Sequence, residues 1–254
     1  MPSNTIVNRY GAIAAEIYDI DKPLGVQPDI AFYREILAPV SGPVLEPACG
    51  SGRALLPLLE AGFEMSGFDP SPEMLERCRA RCADAGFAPH LSRQSFADFA
   101  YPQPFAAIVI PAGTFTLIAD FALAMAALAR VREHLAPGGL VVLDIQPISF
   151  LARTGEDRRS WTAKNGDLLT LEGKRVAADW LSQTARDTCR YERWREHRLI
   201  ETQLEPMAQR FWGLEEFRLA LEARGFGDVE VSGDYRQGPL GASPRTLTYK
   251  ARRL

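Results

Sequence analysis

Histidine and cysteine are scarce: among 254 residues there are three of the first and four of the second. Cys49, Cys78, Cys82 and Cys189 form neither a dense disulfide framework nor the paired CxxC spacing of a zinc site. Cys78 and Cys82 are spaced to share one face of a helix, but no histidine or carboxylate completes a ligand set. They therefore read as buried free thiols, and no metal is expected. His90 and His134 fall near element ends, away from the expected ligand edge, and His197 lies in a segment that can face either way. No general base can be named from them, and the catalytic residues stay unassigned.

An excess of charge is also missing. Lysine and arginine total 29 against 32 acidic residues, a formal net charge of -3. Any phosphate-binding surface would have to be a local patch, so nucleic acid is not an expected partner. No uncharged apolar run approaches the length of a membrane span, and residues 1–10 have neither the basic flank nor the apolar run of a secretion signal. The expectation is a cytoplasmic protein with no membrane partner. Internal repeats and low-complexity tracts are absent. What is present is an ordinary globular balance, 46% hydrophobic and 24% charged, enough for one large domain or a core with a substantial insertion.

From 44 to about 146, short apolar runs alternate with helical patterns, the signature of βα units on a parallel sheet. The first strand, Pro43-Val44-Leu45-Glu46, passes through Gly50-Ser51-Gly52-Arg53 into a helix closed by Gly62. A second strand ends at Asp69, and Ser71 then Pro72 read as the cap and first position of a helix with Met74, Leu75, Cys78 and Cys82 on one face. The apolar run 105–111 reads as a central strand. An alanine-rich helix over 120–134 is expected to stop at Pro137-Gly138-Gly139, with a strand over 140–145. From about 149 to 211, stretches rich in Thr, Tyr, Trp and Arg, with turn signals at Asn165-Gly166-Asp167 and Glu172-Gly173, predict antiparallel strands. A helix over 214–224 and two alternating strands, 228–234 and 246–251, finish the chain. This divides it into an N-terminal helical cap (1–40), an α/β core (41–148 and 213–254) and an inserted antiparallel layer (149–212). The exposed layer either pairs two copies as a homodimer or serves only as a lid.

In an open α/β sheet, ligands bind outside the carboxyl ends of the strands, commonly at the first βα turn. Here that turn is Glu46-Pro47-Ala48-Cys49-Gly50-Ser51-Gly52, whose glycines allow a sharp bend and close approach of a ligand. Asp69, at the tip of the second strand, is placed to accept both hydroxyls of a ribose. Either feature alone often means only tight packing or a shaped turn. Together they describe a nucleoside pocket. A dinucleotide site would need a third glycine where Leu55 stands, and Glu46 repels phosphate. The same carboxylate suits an ammonium group. S-adenosylmethionine offers one amine, one carboxylate, one ribose and no phosphate.

The runs Val44-Leu45-Glu46-Pro47-Ala48-Cys49-Gly50-Ser51-Gly52-Arg53 and Gly67-Phe68-Asp69-Pro70-Ser71-Pro72-Glu73-Met74-Leu75 resemble the class I S-adenosylmethionine-dependent methyltransferases of the small-molecule type. Further similar motifs stand at Gln94-Ser95-Phe96-Ala97-Asp98-Phe99, Ile110-Pro111-Ala112-Gly113-Thr114-Phe115 and Leu135-Ala136-Pro137-Gly138-Gly139. The resemblance implies a Rossmann-like sheet of seven strands, mostly parallel, with helices on both faces. It implies that S-adenosyl-L-methionine is bound by Tyr18, Tyr33, Glu46, Ala48, Gly50, Arg53, Asp69, Pro70, Met74, Ser95, Phe96, Pro111, Ala112 and Thr114. In that scheme Glu46 meets the methionyl amine and Asp69 the ribose, while Pro70 and Met74 flank the adenine and Ser95 and Phe96 hold its edge. Pro111, Ala112 and Thr114 lie beneath the sulfonium, and Tyr18 closes over the cofactor.

Two positions depart from the family pattern: Ala48 replaces a glycine, and Ser95 stands where an aspartate often accepts the adenine amine. Neither Asn/Asp-Pro-Pro-Tyr nor Pro-Cys follows the fourth strand, which leaves a small-molecule acceptor, methylated on O or N. In-line transfer from a sulfonium relies on alignment and exclusion of water. The aromatics Tyr18, Tyr33, Phe115, Trp161 and Trp212 are candidates for the acceptor wall, against the plainer expectation that most pack in the core. Arg190, Arg193, Arg195, Arg198 and Arg210 are candidates to grip an anion, with interleaved Glu192, Glu196 and Glu201 favouring a paired surface instead. The rival readings are a cofactor-binding protein without catalysis and, less favoured, a Rossmann oxidoreductase.

Overall fold

A computed structural model describes residues 10–24 and 28–254; the N-terminal stretch read above for a secretion signal lies almost wholly outside them. The elements run α1 (Ala12–Asp21), α2 (Pro28–Leu37), β1 (Val44–Pro47), α3 (Leu55–Glu60), β2 (Met65–Phe68), α4 (Pro72–Asp84), β3 (His90–Ser92) and β4 (Phe105–Ile110), followed by α5 (Phe121–Glu133) and β5 (Leu135–Ile145). Then come β6 (Glu156–Thr162), β7 (Leu168–Asp179), β8 (Thr184–Arg195), β9 (Arg198–Arg210), α6 (Leu214–Glu222), β10 (Phe226–Gly233) and β11 (Leu247–Arg253).

Seven strands form one sheet in the order β10-β11-β5-β4-β1-β2-β3, with β11 antiparallel to both of its neighbours. The order reverses at β1 and β4, so the carboxyl ends of these strands open the crevice where ligands of such sheets bind. Two helix starts, those of α4 and α5, have a local cause. The Ser71 hydroxyl accepts from the Met74 amide at 3.2 Å and Asp120 accepts from Leu123 at 2.9 Å, each satisfying a first-turn N-H that the helix itself leaves unpaired. Met74, Leu75, Cys78 and Cys82 do share the buried face of α4, and all four cysteines are free thiols.

The remaining strands, β6 to β9, form a separate antiparallel meander. One face of it lays Leu169, Leu171 and Tyr191 on Ile13, Ala14 and Ile17 of α1, so the N-terminal helix is clamped between the second sheet and the core. Asp19 ties the same helix to α4 through Arg77 and Arg81, both at 3.0 Å. Pro206 is tolerated in β9 because that strand is an edge and needs no further ladder donor.

Two local expectations are corrected. Pro137-Gly138-Gly139 does not separate helix from strand: β5 begins at Leu135, and the three residues sit where its register against β4 shifts between Phe105 and Ala107. Glu172-Gly173 is not a turn but the middle of β7, paired with Arg190 and Cys189; the chain reverses at 180–183 instead. The next reversal is made by Glu196 and His197, both with positive φ (47° and 64°), as a two-residue hairpin loop demands. His197 therefore sits at an exposed hairpin tip.

Candidate active site

At the end of β1 the backbone turns through the left-handed region three times, at Ala48 (φ 51°), Gly50 (φ 56°) and Gly52 (φ 83°). Gly52 is needed twice over, since a Cβ there would stand 2.8 Å from the Cys78 sulfur. The turn is fastened to β2 by the Cys49 amide, which donates to the Phe68 carbonyl at 2.9 Å. Asp69 completes the fastening. Its Oδ2 accepts from the Gly50 amide at 2.9 Å and its Oδ1 from the Ser71 amide at 2.8 Å. Burial pushes this carboxyl up to about 6, against the pull of those two amides. Each oxygen keeps a lone pair for a hydroxyl partner.

Glu46 lies beneath the turn, 4% exposed, and its Oε2 has no hydrogen-bond partner among the described residues. Burial raises its pKa to about 8, only partly offset by Arg53. Arg53 is itself occupied: it donates to Asp29 of α2 at 3.1 and 2.6 Å, both side chains being buried. Tyr18 approaches Arg53, Glu46 and Asp29 from α1, and burial raises its phenol. The orphaned carboxylate oxygen, walled by a paired arginine and a tyrosine, is a receptor for a cation with N-H donors.

A second buried acid, Asp144 at the end of β5, accepts from four donors. They are the Tyr33 hydroxyl, the Tyr235 hydroxyl at 2.8 Å, Thr248 Oγ1 at 2.6 Å and the Ala112 amide at 2.8 Å. Burial still carries its pKa above the ordinary carboxylate range. The Ala112 bond fixes the turn after β4, where Ala112 adopts φ 59° and the Thr114 hydroxyl donates back to the Pro111 carbonyl at 2.7 Å. Asp29, Asp144 and Tyr235 were not anticipated. A polar residue at the end of an otherwise apolar strand, as in Leu143-Asp144-Ile145, was the available signal for Asp144.

A cavity of about 670 Å³ opens beside the turn. Of the predicted residues, Ala48, Pro70, Ser95, Phe96 and Thr114 line it. Met74 does not: it is 2% exposed and packed under Gly50, its sulfur 4.0 Å from where a Cβ would stand. Tyr33 is spent on Asp144 in the core. The Ser95 hydroxyl donates to Asp98 at 2.6 Å, leaving only a lone pair for a ligand. Of the five aromatics proposed as acceptor walls, none lines this cavity: Tyr33, Phe115 and Trp212 are fully buried, and Trp161 packs with Tyr10 beside α1. Its aromatic walls are Phe68, Phe96 and Phe121.

The basic residues of the second sheet are mostly paired. Arg190 meets Glu172 and Glu192, Arg193 meets Glu16, Asp167 and Glu201, and Arg195 meets Asp167. Arg210 reaches the cavity wall. None of the three histidines lines the cavity, and no group of His, Cys, Asp and Glu suited to a metal occurs among the described residues.

Residues 44–139 match the profile of a family described as methyltransferase domain. Over that segment the chain is similar to a methyltransferase domain. The match runs from β1, through the glycine turn, to the register shift at the start of β5. No curated protein shows significant sequence similarity to the chain. Among solved structures, an S-adenosylmethionine-dependent methyltransferase from Clostridium acetobutylicum superposes with a TM-score of 0.80 at 18% identity, covering 94% of this chain and 97% of the other. The sugar N-methyltransferase KedS8 from Streptoalloteichus gives 0.75 at 19% identity, with coverages of 93% and 90%. The amino pentose methyltransferase CalS10 from Micromonospora echinaspora, solved with S-adenosylmethionine bound, gives 0.67 at 17%, with 94% and 92%. At these identities the likeness extends to the fold, the second sheet included in the span covered. Within the described residues no helix of this chain is long and apolar enough to cross a membrane.

Proposed function

We propose that the chain transfers the methyl group of S-adenosylmethionine to an oxygen or nitrogen of a small-molecule acceptor. The observation that carries the reading is the unpartnered, buried Oε2 of Glu46 beside an Asp69 carboxylate held open on two backbone amides. A dinucleotide would bring pyrophosphate against Glu46, whereas an α-ammonium satisfies it.

The fit of the cofactor rests on these donors and acceptors. Glu46 would hold the ammonium, Asp69 the ribose hydroxyls, and Pro70, Ser95 and Phe96 the adenine, with Ala48 and Gly50 giving the backbone room. When bound, S-adenosylmethionine supplies an electrophilic methyl on a positively charged sulfur. The chain's own part is positional. Asp144 locks the turn at Ala112 and Thr114 on one side, and the Asp29 and Arg53 pair locks the opposite side. Helices α1 and α2 (within 1–40) act as a cap over the core (41–148 and 213–254), and the second sheet (149–212) as the lid that excludes water.

Isothermal calorimetry tests the reading. S-adenosylmethionine should bind with micromolar affinity and NAD should give no heat, and Asp69→Ala should abolish the first signal. A wild-type protein silent toward S-adenosylmethionine ends the proposal. Release of S-adenosylhomocysteine in the presence of an acceptor library separates an enzyme from a protein that only binds the cofactor.

A further inference from the structure

The cavity beside the glycine turn extends past the residues expected around a nucleoside. One end is formed by Ala48, Pro70, Ser95 and Phe96; beyond Thr114 it continues along the short turn at 114–117 and the first turn of α5 to the ends of β8 and β9. Leu117, Ile118, Phe121, Leu123, Ala185 and Ala208 line this far part, and their side chains offer no hydrogen-bonding group. Phe121 and Leu123 stand 50% and 44% exposed at its mouth, unusual for large apolar side chains unless something covers them.

The charges there are nearly all engaged. Asp120 caps α5 through the Leu123 amide, where the helix N-terminus balances its charge. Arg210 lies over the rings of Phe121 and Trp212 (4.8 and 4.6 Å), donates to the Ser182 carbonyl at 2.8 Å and pairs with Glu216 at 3.2 Å. Arg186, on the same face of the second sheet, lines the cavity and forms no ion pair among the described residues.

We infer that the acceptor is a flat, apolar molecule bearing an anionic group, an aromatic carboxylate in chemical class, with its ring between Phe121 and Leu123 and its anion on Arg186. The inference rests on the methyltransferase reading and adds the class of substrate. A sugar needs several hydrogen-bond partners around its ring, whereas the polar side chains that share this wall, Asp120, Ser182, Thr184 and Arg210, are already bonded within the protein, which disfavours it. A ring with one carboxylate satisfies both the apolar wall and the arginine. Its nucleophilic hydroxyl or amine would form the new bond to the methyl carbon as the carbon–sulfur bond breaks, its proton leaving to water and the sulfur keeping the electron pair as the neutral thioether.

The test has two arms on the full chain. In the first, 8-anilinonaphthalene-1-sulfonate, an aromatic anion, is titrated by fluorescence into wild type, Arg186→Ala and Arg186→Lys, with S-adenosylmethionine binding measured in parallel. Loss of one charge-assisted bond of about 1.5 kcal/mol or more predicts at least about tenfold weaker binding in Arg186→Ala. Arg186→Lys should restore most of it, and cofactor binding should be equal in all three. In the second arm, labelled S-adenosylmethionine is supplied with a panel of hydroxy- and aminobenzoates and a panel of neutral aminosugars. Label should pass to the benzoates. Unchanged dye binding in Arg186→Ala, label on the aminosugars alone, or label on neither panel overturns the inference. Label on sugars would point to the separate polar cavity lined by Lys22, Gln146, Arg153 and Arg159. A wild type that takes up the dye but no S-adenosylmethionine marks failure of the cofactor reading instead.

Discussion

The Tyr33 hydroxyl on α2 donates a hydrogen bond to Asp144 at the end of β5, joining residues 111 positions apart in the chain. Through this bond the N-terminal helices are tied to the turn that carries Ala112 and Thr114, because Asp144 also accepts from the Ala112 amide. Three of the four donors meet Oδ2 and only Thr248 meets Oδ1, so replacing Asp144 by Asn sets an amide nitrogen against either the Thr248 hydroxyl or the other three donors. At about 1 to 3 kcal/mol for each buried group left unpaired, stability should fall by on the order of 3 kcal/mol. Tyr33→Phe removes a single donor and leaves three, so a loss of about 1.5 kcal/mol is expected. Urea unfolding measures both, and an Asp144→Asn protein as stable as wild type would show the cluster to be hydrated.

Asp29 and Arg53 face each other with side chains only 3% and 6% exposed. A buried pair gains little over apolar residues of the same volume, yet breaking it strands a charge. Asp29→Ala should therefore destabilise by about 3 to 5 kcal/mol, whereas the double change Asp29→Leu with Arg53→Met should recover most of that loss. Thermal unfolding of the three proteins decides it; a double variant worse than Asp29→Ala alone contradicts the desolvation argument.

Glu46 gives the chain a pH dependence of a definite sign. Its folded pKa of about 8 lies above its ordinary 4.5, so the folded state holds the proton more tightly than the unfolded one. The stability linked to it is full below the ordinary value and is lost as pH rises through about 8. Asp69, raised to about 6 from 3.8, contributes a similar loss at lower pH, and Asp144 and Glu205, also raised by burial, add losses of the same sign. The part due to Glu46 between 6 and 8 is therefore read as the difference from a Glu46→Gln protein. Glu46→Gln should flatten the ligand-free stability curve there. It should also weaken S-adenosylmethionine binding and remove the release of close to one proton that accompanies it at pH 7, read by calorimetry in buffers of different ionisation enthalpy. A wild-type curve already flat between 6 and 8 would place the Glu46 carboxyl in contact with water.

The alternation of apolar runs and capped helices made the βα units of the parallel sheet legible, because each signal is local: Ser71 and Pro72 start α4 by their own chemistry, whereas the count of seven strands came from the family resemblance. The second sheet was legible as antiparallel, but its turns were not all so. Glu172-Gly173 looks like a turn and is held in β7 by pairing to Arg190 and Cys189 on β8, a long-range ladder that local composition does not encode. Around the turn, the approach of Asp69 to the glycines was readable from spacing. Asp29 and Asp144 were not, since their roles depend on partners 24 and 32 or more residues away. Tyr33 and Met74 were expected at the ligand and are packed in the core, where an aromatic or thioether side chain gains more from burial than from an open wall.

The glycine turn itself offers the sharpest test of backbone strain. Ala48 adopts φ 51° although it carries a Cβ, a conformation that costs an L-residue about 1 to 2 kcal/mol. Glycine at this position removes that strain but adds about 0.4 to 1 kcal/mol of unfolded-chain entropy. The first effect is larger, so Ala48→Gly should raise stability by about 0.5 to 1 kcal/mol. The reverse changes at its neighbours rank by space. Gly50→Ala meets only the Met74 sulfur at 4.0 Å and, by the same balance of left-handed strain against chain entropy, should lose about 0.5 to 1 kcal/mol. Gly52→Ala adds a collision at 2.8 Å with the Cys78 sulfur and should lose more. Urea midpoints should therefore fall in the order Ala48→Gly, wild type, Gly50→Ala, Gly52→Ala. Were Ala48→Gly the less stable of the first two, chain entropy would outweigh the left-handed strain and the alanine would be the better residue for this turn.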